Sequence, residues 1–148
     1  MSGIKIYTIG FTQTSAEEFF SKLIKAGVRK IVDVRLNNSS QLAGFAKKDD
    51  LKYFLQAIGN IKYVHMPLLA PSEEILAEYK KKKGDWHTYE EKFLTLMERR
   101  RIENAVGPDE LDQTCLLCSE HLPKHCHRRL LAEYLKSKWG NVEIEHLV

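Results

Sequence analysis

The sequence predicts a single α/β domain over residues 1–148, built on a mostly parallel five-stranded sheet with helices on both faces and Rossmann-like in its layering. Three observations predict it. Short β-branched runs alternate with longer segments of helical periodicity, and such alternation requires crossover connections between parallel strands. At 148 residues with 43% hydrophobic content, the chain suits one sizeable core rather than two. No internal repeat, low-complexity tract or interdomain linker divides it.

Lys5 to Phe11 (KIYTIGF) reads as the first strand. Ser15 and Glu18 then form an S-x-x-E capping box, Phe19, Phe20, Leu23 and Ile24 repeat at helical spacing, and Gly27 stops the helix. Val28 to Arg35 (VRKIVDVR) is β-branched enough for a buried central strand. Asp49 and Asp50 precede a second helix carrying Leu51, Phe54, Leu55 and Ile58 and ending at Gly59, and Ile61 to Met66 is the third strand. Pro67 and Pro71 break the chain. Ser72 caps a helix through about Lys82, and after Gly84 a longer helix places Trp86, Tyr89, Phe93, Leu96 and Met97 on one core-facing stripe. Gly107 and Pro108 close this helical section. Gln113 to Cys118 is a fourth strand, Cys126 to Trp139 a helix, and Val142 to Val148 the last strand.

Charge is nearly balanced, with 23 Lys and Arg against 20 Asp and Glu, so the net +3 does not by itself indicate a nucleic-acid binder. The same composition excludes intrinsic disorder. No signal-like leader or run of about 18 apolar residues is present, so the expectation is a soluble, cytoplasmic protein without a membrane partner, its oligomeric state open. Cys115, Cys118 and Cys126 are odd in number, and in that compartment thiols stay reduced.

In an open parallel sheet, ligands bind at the carboxyl ends of the strands near the point where strand order reverses. With a strand order of 3-2-1-4-5 the crevice falls between the first and fourth strands, bordered by Gly10 and the Cys118 to Arg128 segment, with Arg35 one strand away. CLLCSEHLPKHCHRR is the densest chemistry in the chain. Pro123 turns it so that His125, Cys126, His127 and Arg128 open the last helix, whose N-terminus favours anions and thiolates. On the helical wheel His127 falls on the inward stripe and Arg129 aligns outward with Glu133.

Each of these residues has a plainer reading. Cys115 inside its strand is a core hydrophobe. Cys115-x2-Cys118-x7-Cys126-His127 is superficially zinc-like, but residues three apart on a strand face opposite ways and a second C-x-x-C knuckle is missing, so no metal or other cofactor is predicted. His125-Cys126 lacks the arginine of an H-C-x5-R phosphatase loop, because Ala132 stands there. Asp33 and Arg35 share a strand face and form either an ion pair or an anion-binding arginine held by its aspartate. Glu120 is either a general base or a partner of Arg35 or Arg128. His65 reads as a satisfied interior histidine, and the basic runs Lys80 to Lys83 and Arg99 to Arg101 as solvated helix faces.

With YTIGFT (Tyr7 to Thr12), DVR (Asp33 to Arg35), YVHMPLLAP (Tyr63 to Pro71), WHTYEEKF (Trp86 to Phe93), LLCSE (Leu116 to Glu120), CHRRLLAEYL (Cys126 to Leu135) and the closing His146-Leu147, the chain resembles the family of the domain of unknown function 488. The resemblance spans essentially the whole chain. It implies a small α/β domain and singles out Arg35, Cys118, Glu120, Cys126, His127 and Arg128, but no activity. Relatives commonly carry YTIGHS where Phe11 and Thr12 stand here, and a proline and serine after DVR where this chain has LNNSSQ, in which Ser39 or Ser40 is the substitute.

Whether the chain is an enzyme stays open. The first reading is an enzyme acting on an anionic substrate, related to phosphate, nucleotide or nucleic acid. Arg35, Arg128, Gly10 and Thr12 hold the anion, Glu120, His127, Cys118 and Cys126 are the catalytic candidates, and Asp33, His65 and Tyr7 support them. The second is a non-catalytic module binding a ligand or nucleic acid with the same pocket together with the basic helices. The third is a thiol redox or metal-binding protein built on Cys118 and Cys126.

Overall fold

The helix caps form as their residues require. Ser15 Oγ accepts the Glu18 N–H at 3.1 Å, and Gly27 ends that helix in the left-handed region at φ 75°, where a side chain is disfavoured. The computed structural model describes residues 3–36, 48–81, 85–118 and 126–148, without the side chains of Lys80 and Lys81. Expectations for Ser39, Ser40, Lys82, Lys83, Glu120, Pro123 and His125 lie outside these residues.

In chain order the elements are β1 (Ile4–Gly10), α1 (Ala16–Ala26), β2 (Lys30–Asp33), α2 (Lys48–Gly59), β3 (Lys62–His65), a 3-10 turn (Pro67–Leu69), α3 (Glu73–Lys81), α4 (Trp86–Arg100), α5 (Ile102–Ala105), α6 (Pro108–Leu111), β4 (Thr114–Cys118), α7 (His127–Trp139) and β5 (Val142–Leu147). Among the described residues all strand pairings are parallel, and the chain is an α/β domain with the helices it was expected to have on both faces. Strand order is β3-β2-β4-β1-β5 rather than 3-2-1-4-5. The reason is physical: TCLLC is buried at all five residues, and the centre of the sheet is where such a strand loses no solvation that its neighbours do not replace.

Side-chain alternation divides the core. Ile6, Val32, Val34 and Leu116 pack with Phe93 and Leu131 on the α4 and α7 side, whereas Ile9, Ile31 and Leu117 pack with Phe19, Leu23 and Leu55 on the α1 and α2 side. Some helical stripes are narrower than their spacing suggests: Ile24 and Ile58 remain 49% and 51% exposed. Pro108 opens a helical turn instead of closing the helical section, because its missing N–H is tolerated at a first helical position. The short helix α5 was not expected; Arg101, at φ 50°, breaks it from α4.

On α4 an aromatic row leads toward β4 and α7. Trp86 stacks on Tyr89 at 5.0 Å, Tyr89 on Phe93 at 6.4 Å, and Phe93 meets the His127 ring at 5.7 Å. Replacing the fully buried Phe93 by alanine is expected to cost about 3–5 kcal/mol, read as a lower urea midpoint; a change below about 1 kcal/mol would show that the row is not holding α4 in place.

Candidate functional site

The two cysteines reach one another because β4 ends where α7 begins. Cys118 is the last residue of β4, and Cys126 is the N-cap of α7 in an extended conformation. Their sulfurs are joined as a disulfide, with Cα atoms 7.6 Å apart, in place of the reduced thiols expected from the sequence. Both residues are buried. Cys115 lies on the other face, fully buried and free, and burial pushes its thiol pKa well above the ordinary value, as expected for a core residue.

Arg128 turns inward from the first turn of α7 and is completely buried. Its NH1 group lies 3.1 Å from Cys118 Sγ and 3.5 Å from Cys126 Sγ. Arg129, one position on, turns outward to Glu133 at 3.0 Å, as the helical wheel predicts.

His127 points Nε2 at the Val34 carbonyl, 2.7 Å away. A carbonyl only accepts, so Nε2 carries the proton and the lone pair resides on Nδ1. Burial pushes the pKa of His127 down from 6.5 to about 4. That outweighs the hydrogen bond to Val34, and the Arg128 charge pushes the same way, so the ring is neutral at pH 7. One ring nitrogen of His127 and the sulfurs of Cys118 and Cys126 all lie within 4.8 Å of one another.

Asp33 and Arg35 form a separate, tightly bonded group. Asp33 is fully buried and Arg35 nearly so, at 4% exposure. Arg35 Nε donates to Asp33 Oδ1 at 2.9 Å and its NH2 group to Oδ2 at 2.7 Å, a bidentate pair. Tyr63 Oη donates to Oδ2 at 2.5 Å, and the guanidinium lies 5.1 Å from the centre of the Phe11 ring. This contact is common to both readings of the motif, the ion pair and the anion-binding arginine held by its aspartate. Alternation along β2 sets Asp33 on the α1 and α2 side with Ile31, opposite to Val34 and Cys118. By the same alternation Asp33 and Arg128, which contacts Cys118, belong to opposite faces of the sheet.

A single peptide unit links the two groups. Asp33 Oδ1 accepts the Arg35 backbone N–H at 3.1 Å, and the carbonyl of that same unit, on Val34, accepts from His127. Sequence reading missed this link, and also Tyr63 and Phe11; the parity of Tyr63 with His65 along β3 was the available signal for the former.

The remaining candidates sort by place. Gly10 stands in register with Cys118 at the end of β1, and Thr12 is half-buried in the turn beyond. His65 Nε2 lies 2.8 Å from the Arg35 carbonyl and is satisfied there. Tyr7 lies within β1, not at its end, and its hydroxyl donates to the Ala26 carbonyl at 2.9 Å, a packing role. Thr8, fully buried, contacts His146 Nδ1 at 2.6 Å, and burial lowers the His146 pKa with help from Arg128. Arg100 leaves the basic run to bind the Leu68 and Ala70 carbonyls at 2.6 and 2.8 Å. Among the described residues no helix is long and apolar enough to cross a membrane.

A family model described as a domain of unknown function, DUF488, matches residues 15–135. No curated protein and no solved structure matches the chain.

Removing Asp33 should strand a buried guanidinium, so Asp33→Ala is expected to cost about 3–5 kcal/mol in chemical denaturation. Tyr63→Phe removes one hydrogen bond to a charged group and should cost about 1.5–3 kcal/mol. Equal losses would contradict the dominance of the Arg35 pair.

Proposed function

The chain belongs to the DUF488 family, whose description names no chemistry, and from its own residues we propose that it is a thiol-redox protein whose Cys118 and Cys126 pass between disulfide and dithiol. The observation that carries this reading is the buried Arg128 guanidinium at hydrogen-bond distance from both sulfurs. A disulfide is neutral and a thiolate is not. A fixed positive charge beside them therefore stabilises the reduced, ionised form selectively, and the N-terminus of α7 at Cys126 acts in the same sense.

The exchange balances with an external dithiol. One of its thiolates attacks one sulfur of the Cys118–Cys126 bond, the other cysteine leaves as a thiolate, and the second external thiol resolves the mixed disulfide. Two electrons pass inward, and the external dithiol departs as a disulfide. Cys115, in the core on the opposite face, takes no part.

Alkylation and intact-mass measurement across graded thiol buffers tests this. The expected result is a reversible change of two alkyl groups assigned to Cys118 and Cys126, with Cys115 unmodified until denaturation. Three free thiols at every potential would sink the reading. Arg128→Met should slow alkylation of the reduced pair at pH 7 by about tenfold or more, as one pKa unit of lost thiolate stabilisation implies. Where that variant does not fold, the pH dependence of alkylation in the unaltered protein gives the same information.

Gly10 favours a second reading. It stands in register with Cys118 and carries no side chain, which supports a reading in which a substrate group meets the cysteine at the end of β1. In this form the dithiol protein is an enzyme in which a cysteine thiolate attacks an anionic substrate held by Arg128 and the start of α7. Thermal stabilisation of the reduced protein by phosphorylated ligands or nucleotides is the expected outcome, and Gly10→Val should abolish it. Binding without turnover would reduce the protein to a ligand-binding module, and no stabilisation by any such ligand would discard this second reading.

A further inference from the structure

We infer that the reduced protein holds a soft divalent cation, zinc-like in its preferences, on Cys118 Sγ, Cys126 Sγ and His127; this rests on the reading of Cys118 and Cys126 as an exchangeable pair. One ring nitrogen of His127 and the two sulfurs already lie within 4.8 Å of one another. With sulfur about 2.3 Å and imidazole nitrogen about 2.0–2.1 Å from a zinc ion, atoms of one tetrahedral shell stand no farther apart than that. Two thiolates and one imidazole are the donor set of a catalytic rather than a structural zinc centre, one that keeps a coordination position open.

His127 is prepared for this role by its other nitrogen. Nε2 is committed to the Val34 carbonyl at 2.7 Å, which fixes the ring and leaves Nδ1 the nitrogen able to ligate. A metal-bound histidine almost always makes such an outer bond to a carbonyl or carboxylate. The carbonyl is itself held, because Asp33 clamps the N–H of the same peptide unit at 3.1 Å. Phe93, 5.7 Å from the imidazole, packs the ring from the helix side. Arg128 NH1, 3.1 Å from Cys118 Sγ, becomes an outer-shell donor to a bound thiolate, tempering its charge without displacing it.

Cys115 does not belong to the site. It sits in β4 three residues before Cys118 and faces the α1 and α2 side, so the C-x-x-C spacing in the sequence does not produce a two-cysteine knuckle. The second thiolate comes from across the β4 to α7 connection instead. Metal binding and disulfide formation then exclude each other, since both use the same two sulfurs.

Cobalt(II) titrated into the fully reduced protein provides the probe, followed by displacement with zinc(II). The expected result is one cobalt per chain, with thiolate-to-cobalt charge-transfer and tetrahedral ligand-field absorption that zinc abolishes and prior oxidation prevents. Cys115→Ser should leave the spectrum unchanged, Cys118→Ser should remove most of the charge-transfer band, and His127→Ala should weaken binding by about tenfold or more. Reduced protein whose cysteines cycle normally but that shows no cobalt–thiolate absorption would overturn the metal site and leave the redox reading standing. Cobalt binding by a protein whose cysteines never pair on oxidation would do the reverse. Cobalt spectra unaffected by both Cys118→Ser and His127→Ala would also overturn it, by placing the ion elsewhere.

Discussion

The position of β4 between β1 and β2 governs the carboxyl edge of the sheet. A strand paired on both edges and covered on both faces ends with its last side chain already committed to one face, and for β4 that side chain is Cys118. Because β4 is parallel to both neighbours, its end lies beside Gly10 of β1 on one side and beside the Val34 segment on the other, where Val34 N–H donates to the Leu117 carbonyl at 3.0 Å. The start of α7 must pack over the same face, since Leu130, Leu131 and Leu135 fill the core there. Cys126, His127 and Arg128 are thus delivered to Cys118 by packing that concerns leucines.

Two buried arginines at this edge are handled differently. Arg35 has a carboxylate in bidentate contact, so its charge is balanced within the fold. Arg128, also buried, reaches two sulfurs whose charge depends on their oxidation state. A charge pair fixed by protein carboxylate is structural whatever the conditions. The Arg128 guanidinium faces sulfur where the Arg35 guanidinium faces a carboxylate, and this is the electrostatic difference between the α7 face and the α1 face.

Much of this was legible in the sequence, and the reasons for the rest are specific. Ser15 and Gly27 bound α1 because caps act within a few residues, and the His127 and Arg129 directions followed from helical geometry alone. Strand order did not follow, because alternation tells which strands are buried and not which are neighbours; β1, β2 and β4 are all apolar enough to be central. The misplaced order moved Arg35 one strand too far from β4. Its partner Asp33 was two residues away, and the further bond that Asp33 accepts comes from Tyr63, thirty positions along the chain. The pairing of Cys118 with Cys126 lay equally beyond local pattern, because it depends on where α7 packs.

The peptide unit between Val34 and Arg35 shows how the two faces act as one. In a trans peptide the N–H and C=O point oppositely, so one unit at a strand end can be bonded from both sides of the sheet. Here Asp33 takes the N–H and His127 the C=O, so the Asp33–Arg35 pair fixes the orientation of the imidazole without touching it. Arg35 acts on His127 through the placement of Asp33, not through its own charge. A D-V-R motif beside a C-H-R motif is then a mechanical arrangement: the first holds a carbonyl still, and the second bonds that carbonyl through its histidine.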